Sequence, residues 1–336
     1  MWRARTPRPP AAVWRRWPMP AELADVSVIM PAYNAAVTVG RALASIAAQT
    51  VRPREVIVVD DGSTDDTVAR VTAMAGRMNG IRLRLFRQRN AGAGAARNRA
   101  VAMASGHWLA FLDSDDEWLP AKLERSLAVS QAGDLIMSSH NLFNVGPAGE
   151  TLNDSRARWL RNPDDPYRTL FLRGFISSST VLVRREAVVA AGGFDATLRS
   201  AQDYELWLAV LAKAGKRFET FADPLLRYTL APEGITSRID RKVACSLAIL
   251  RRHMGVLKRR PGPVLVPVLL RCLIIHYEAV QGYRARGEML AALGQLLRLP
   301  LRAVEMLLRL PFATGDRPDF LARLEPEAEE VPLCAA

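Results

Sequence analysis

His107-Trp108-Leu109-Ala110-Phe111-Leu112-Asp113-Ser114-Asp115-Asp116 runs apolar for the length of a strand and then stops in three carboxylates within four positions. A buried strand that ends in clustered acids puts negative charge at the carboxyl edge of a sheet, where open α/β sheets bind their ligands. Carboxylates this close repel one another unless a cation sits between them. A hard divalent ion, Mn²⁺ or Mg²⁺, held through one or two carboxylates and phosphate oxygens, suits Asp113 and Asp115. An isolated Asp-x-Asp would more often be a solvated turn, so the meaning of this one depends on its surroundings.

Upstream, Val26-Ser27-Val28-Ile29-Met30 is a β-branched run that ends in Pro31-Ala32-Tyr33-Asn34, with helical spacing resuming at Val39, Leu43, Ile46 and Ala47. Glu55 to Val59 forms a second such run and enters Asp60-Asp61-Gly62-Ser63-Thr64-Asp65-Asp66, where Ser63 and Asp66 have the spacing of a capping box. Ile81 to Phe86 alternates like a half-exposed strand, and Asn90-Ala91-Gly92-Ala93-Gly94 leads through Arg97 into a helix. Strands and helices that alternate in this way call for right-handed crossovers and a mostly parallel sheet covered on both faces. No Gly-x-Gly-x-x-Gly follows the first strand and no Gly-Lys-Ser/Thr loop occurs, which disfavours ordinary dinucleotide and P-loop sites.

Composition narrows the class further. The 336 residues are 49% hydrophobic and 24% charged, an ordinary globular balance with room for one large α/β domain and an appendage. Cys245, Cys272 and Cys334 are too few and too scattered for a disulfide framework, which fits a reducing cytosol. His107, His140, His253 and His276 lack metal-ligand spacing. The net charge of +12 gathers at the ends: residues 1–20 carry five arginines and no acid, and residues 241–310 carry thirteen Lys/Arg against three glutamates. That distribution suggests an anionic surface nearby; no nucleic-acid motif accompanies it.

The quoted segments carry a resemblance. Ser27 to Asn34, Val58 to Asp65, Asn90-Ala91-Gly92 with Ala96-Arg97-Asn98, and Leu112 to Asp116 resemble, in order and spacing, the motifs of family 2 glycosyltransferases. The match spans roughly residues 25–230 and adds Gln202-Asp203 with Leu206-Trp207 as a later motif. It implies a GT-A fold, a Rossmann-like α/β nucleotide-binding sheet, and metal-dependent inverting transfer from a nucleotide sugar. It further implies that Asp115 ligates the cation, that Asp113 is shared between cation and ribose, and that Asp61 accepts a hydrogen bond from uracil, with Asp60 beside it. Pro31, Tyr33 and Asn34 resemble the loop over the base. Arg97 would bring a guanidinium to the nucleotide or its phosphates, or else be a surface arginine. Asp116 and Gly92 are secondary candidates, Asp116 being equally suited to cap the next helix.

Asp203 precedes Leu206, Trp207 and Val210 at helical spacing, so an acid sits on an apolar face in a first turn. Burial would raise its pKa and the helix amino end would lower it, leaving a base usable near neutral pH. By resemblance it is the catalytic base; capping alone is the other reading.

Four regions are expected: a basic arm at 1–23, the GT-A domain at 24–235, a basic amphipathic helical region at 236–322 and an acidic tail at 323–336. Ser177 to Val183 reads as a strand and Glu325 to Glu330 as unstructured. The run from Val264 to Ile275 contains Pro267 and Arg271 and falls short of a membrane span, while Pro300 and Pro311 are expected to break the last helices. The basic helices either rest on the inner face of the cell membrane or pack on the catalytic core. The expected enzyme is a cytoplasmic glycosyltransferase taking a UDP-sugar donor to a glycan or lipid-linked acceptor. Its rivals are a nucleotidyltransferase and a non-catalytic binding module.

Overall fold

The computed structural model describes residues 23–147, 149–215, 217–230, 238–324 and 328–333. The basic arm, but for residue 23, lies outside the described residues. Strand–helix alternation opens the fold: β1 (Ala24–Ala32), α1 (Val39–Ala47), β2 (Pro53–Asp60), α2 (Thr67–Thr72), β3 (Arg82–Arg87), α3 (Ala93–Met103) and β4 (Trp108–Phe111). There follow β5 (Glu117–Trp118), α4 (Lys122–Ala132), β6 (Met137–His140), β7 (Leu142–Gly146), β8 (Gly149–Asn153), α5 (Ser155–Trp159) and α6 (Pro166–Leu172). Then come β9 (Leu182–Arg184), α7 (Arg185–Ala190), α8 (Gln202–Ala214), β10 (Phe218–Phe221) and β11 (Leu226–Thr229). The chain closes with α9 (Ile239–Lys258), α10 (Leu265–Ala285), α11 (Met289–Arg309) and β12 (Glu329–Val331).

The main sheet has the order β10-β6-β9-β4-β1-β2-β3-β12. β1 runs parallel to β2 and β4, and β2 parallel to β3; β9 is antiparallel to both β4 and β6. Alternation along the strands divides two cores. Ile29, Ile57, Val59, Leu109 and Phe111 face one layer, while Val28, Met30, Val56, Val58 and Ala110 face the other. A smaller sheet has the order β5-β11-β7-β8. Phe111, Phe194 and Trp207 meet edge-on at 5.3–6.0 Å between ring centroids, which ties the end of β4 to α8. Such pairs contribute about 0.5–1.5 kcal/mol each beyond the area they bury.

The structure corrects several expectations. Ser63 and Asp66 do not form a capping box: Asp66 makes no side-chain cap bond to α2, and Asp65 instead accepts from the Thr67 amide at 3.0 Å. Ser178–Thr180 is a 3₁₀ turn and only Leu182–Arg184 is strand, because a serine-rich run bonds its own backbone in place of a ladder. Of the stretch Glu325 to Glu330, residues 325–327 lie outside the described residues, while Glu329–Val331 is a strand that pairs antiparallel with β3 and sets Glu330 on Arg84 at 3.1 Å. Pro300 lies inside α11 without ending it, and Pro267 sits in the first turn of α10, where no amide is needed.

Leu247, Ile249, Leu250, Met254 and Leu257 of α9 share a core with α8, so this helix packs on the α/β sheet domain. α10 proves long and apolar enough to cross a membrane by length and composition. Its inner side is nonetheless packed: Arg271 is buried, donates to the Leu172 carbonyl at 3.1 Å and stacks 5.0 Å from the Tyr204 ring.

Candidate active site

β4 delivers Leu112 to a bond with the Ile29 carbonyl and then turns, with the Asp116 amide donating to the Asp113 carbonyl at 3.1 Å. The Asp113 amide donates to Ser179 Oγ at 3.1 Å, which pins the turn to the 3₁₀ segment. Asp113 and Asp115 project into a cleft of about 810 Å³ at the carboxyl end of the parallel strands. Burial, then the neighbouring Asp113 carboxylate, pushes the Asp115 pKa above the usual aspartate range. Asp116 points the other way. It is 1% exposed, accepts from Ser179 Oγ at 2.6 Å and from the Thr229 amide at 3.1 Å, and joins the turn to β11. It neither lines the cleft nor caps a helix, which removes it from the metal site and from the capping role alike.

Opposite the acids, Gly92 precedes α3 with a φ of 93°, a conformation that a side chain would strain. Arg97 on the following turn is buried, places Nη2 2.5 Å from Asp113 Oδ1 and packs its guanidinium 5.5 Å from the Phe194 ring. Burial disfavours its charge, but Asp113, Asp203 and Asp115 outweigh that and hold its pKa above the usual value. Its Nε finds no acceptor among the described residues. Arg97 is therefore the central cation of the cleft and not a surface arginine.

The two acids that end β2 separate completely. Asp60 is buried beneath the turn, accepts from the Ser63 amide at 3.2 Å and pairs with Arg87 at 3.3 Å; it does not reach the cleft. Asp61 does reach it, accepting from Gln88 Nε2 (2.8 Å) and from the amides of Ala91 (2.9 Å) and Gly92 (2.7 Å). Its carboxylate thus holds the glycine loop in place. Pro31, Tyr33 and Asn34 line the same end. Tyr33 is 52% exposed, and Asn34, at a φ of 48°, accepts from the Thr64 amide at 2.9 Å.

Asp203 lies in the first turn of α8, on the cleft wall. Its carboxylate accepts from Ser178 Oγ at 3.1 Å and from the Tyr204 amide at 2.8 Å. Protein crowds it on every side but the cleft. That burial raises its pKa above the usual range, and Arg97 is the largest influence pulling it back. Three further residues went unnoticed in the sequence: Tyr228 of β11, Arg199 before α8 and Arg241 at the start of α9, all on the cleft wall. Burial, then Asp116, Asp113, Asp203 and Asp115, pushes the Tyr228 phenol well above its ordinary value, so it stays neutral beside the acids. No motif announces any of these; topology alone brings them in. Among the described residues no three His, Cys, Asp or Glu side chains gather into a closed metal cage. Asp113 and Asp115 would hold a cation only with oxygens from a ligand completing the sphere, which is how Mg²⁺-like ions sit on phosphates.

Comparisons with known proteins identify the family and the fold. The family model described as Glycosyl transferase family 2 matches residues 27–190. The chain is 34% identical over 251 residues to the succinoglycan biosynthesis protein ExoO of Rhizobium meliloti, covering 68% of this chain and 69% of that protein. It is 32% identical over 189 residues to the Escherichia coli UDP-Glc:alpha-D-GlcNAc-diphosphoundecaprenol beta-1,3-glucosyltransferase WfgD, covering 55% of this chain and 69% of that protein. The fold is that of S. aureus TarS 1-349 in complex with UDP-GlcNAc, with a TM-score of 0.60, 21% identity and 89% of each chain covered. It is also that of a Pyrobaculum calidifontis mannosyltransferase in complex with GDP-Man and Mn²⁺, with a TM-score of 0.57, 20% identity, and 94% of this chain and 88% of that one covered. With a relative above 30% identity over two thirds of its length, and the motif residues gathered in one cleft, the chain belongs to glycosyl transferase family 2 and is a GT-A glycosyltransferase.

Proposed function

We propose that this enzyme transfers a hexosyl or N-acetylhexosaminyl group, with inversion, from a UDP-sugar to a lipid-linked or glycan acceptor in polysaccharide synthesis. The observation that supports it most is that Asp61, Asp113, Asp115 and Asp203 open into one cleft with Arg97 among them. Asp61 and the loop Pro31-Ala32-Tyr33-Asn34 would receive the uracil. Asp113 and Asp115 would hold Mn²⁺ or Mg²⁺ against the diphosphate, and the cation would supply Lewis-acid stabilisation of the departing charge. Arg97 adds a fixed positive charge on the same side. Asp203 would take the proton from the acceptor hydroxyl as its oxygen bonds the anomeric carbon. The bond from that carbon to the diphosphate oxygen breaks on the opposite face, and its electrons leave with UDP. The lipid-linked acceptor follows the name of WfgD, and polysaccharide synthesis that of ExoO. Such an acceptor places the enzyme peripherally on the cytoplasmic face of the cell membrane.

Two measurements test this. UDP should raise the melting temperature in the presence of Mn²⁺ or Mg²⁺ and not in their absence; GDP run alongside decides the base. Asp203→Asn should keep that shift and lose turnover, and activity within about tenfold of the parent would refute the base.

A further inference from the structure

The outer side of the carboxyl-terminal helices is apolar. On α11, at about 100° per residue, Leu290, Leu293, Leu297, Leu301, Val304 and Leu308 fall in one stripe, and all are exposed. Leu290 is 87% exposed, Leu301 73%, and Phe312 in the next turn 83%. The buried residues of the helix, Ala292, Gln295 and Met306, lie on the opposite side, so the stripe points straight away from the protein. α10 repeats the arrangement with Val266, Leu270, Leu273 and Tyr277 exposed at helical spacing, opposite its packed Cys272 and Ile275. Leucines in that number and register do not stay in water in a soluble monomer without a partner.

Charge selects the partner. Arg298, Arg302 and Arg309 follow one flank of the α11 stripe, at about 100° to 140° from its centre. The only acid on that flank, Glu305, is already engaged by Arg302 at 2.6 Å, Arg309 at 2.9 Å and Arg251 at 2.7 Å. Residues 264–312 hold six arginines against three glutamates. A leucine face edged with arginine matches the boundary of acyl chains and anionic headgroups. A second copy of the chain would bring to that edge only more arginine and a saturated glutamate.

We infer that the outer faces of α10 and α11 dock the enzyme on an anionic lipid bilayer. The inference rests on the lipid-linked acceptor for its purpose, since docking would bring the cleft and the acceptor to one surface. The full chain is sedimented with vesicles of phosphatidylcholine alone and of phosphatidylcholine mixed with phosphatidylglycerol. It should partition onto the mixed vesicles, more weakly as salt rises. Leu297→Gln with Leu301→Gln should reduce that partition by at least about tenfold with an unchanged melting temperature. Arg298→Ser with Arg309→Ser should remove the preference for phosphatidylglycerol while leaving residual binding. A parent chain that ignores both vesicles, or a glutamine pair that binds as the parent does, would overturn the docking face. So would a parent that light scattering finds dimeric and the glutamine pair makes monomeric. The cation-dependent UDP shift, measured on the same samples, keeps a failure of docking separate from a failure of the donor site.

Discussion

Asp203 owes its raised pKa to burial, while Arg97 and the Ser178 hydroxyl favour its ionised form and pull the pKa back down. A hydroxyl that donates to a carboxylate favours the charged state, so its removal must raise the pKa further. Ser178→Ala should therefore shift the acid limb of the kcat/KM profile to higher pH and leave the plateau largely unchanged; an unmoved limb would show that the limb is not set by Asp203. The same scale shows what one position of sequence hides. Asp60 and Asp61 are identical in type and adjacent, and only the strand's pleat decides that one is buried under a turn while the other reaches the ligand cleft. Asp113, Asp115 and Asp203 were legible because their spacing matches a known motif set. Asp116 was not, since its partners Ser179 and Thr229 lie 63 and 113 positions away.

At the level of elements, the site is as rigid as the joint between β4 and α8. Trp207 is fully buried against Phe111 and Phe194, so Trp207→Ala should cost about 3–5 kcal/mol in urea unfolding. Because that joint sets the separation of Asp203 from Asp113, kcat should fall even where the variant remains folded; a stable variant with full kcat would mean that the joint does not position Asp203 for the proposed transfer. The alternation from β1 to β4 was readable because β1 and β2 are buried β-branched runs, β3 alternates, β4 is apolar up to its acids, and each connection is a helix. The second sheet was not. β5 is two residues long and β11 four, with no apolar period to announce them, and β7 pairs with β11 across more than eighty positions. The carboxyl-terminal helices were visible as leucine-rich and basic, yet the sequence did not say which leucines pack on α8 and which face outward.

Across the molecule, two sets of buried groups pull stability in opposite directions with pH. Glu205 is buried, which would raise its pKa, but the hydrogen bonds and charges of Arg317 and Arg252 overcome burial and hold it far below the ordinary 4.5. Burial lowers His140 to about 3 from 6.5 and lowers His253 likewise. In each case the unfolded chain binds the proton first, so this stability is present near neutrality and is lost as pH falls. Asp115, Asp116 and Asp203 are raised, so in the folded state they carry protons that the unfolded chain has released; their ionisation costs stability as pH rises above the ordinary 3.8. The cleft is thus least comfortable when charged, which is the state a cation and diphosphate would relieve. Protons and the cation compete for Asp115, whose pKa is raised, so the rise in melting temperature given by UDP with Mn²⁺ should be larger near pH 8 than near about pH 5. The parent's own stability should fall over the same interval as His140 and His253 come under proton load. Asp115→Asn should abolish the pH dependence of the ligand shift together with most of the shift itself. A shift of equal size at both pH values would place the cation on groups other than the Asp115 carboxylate.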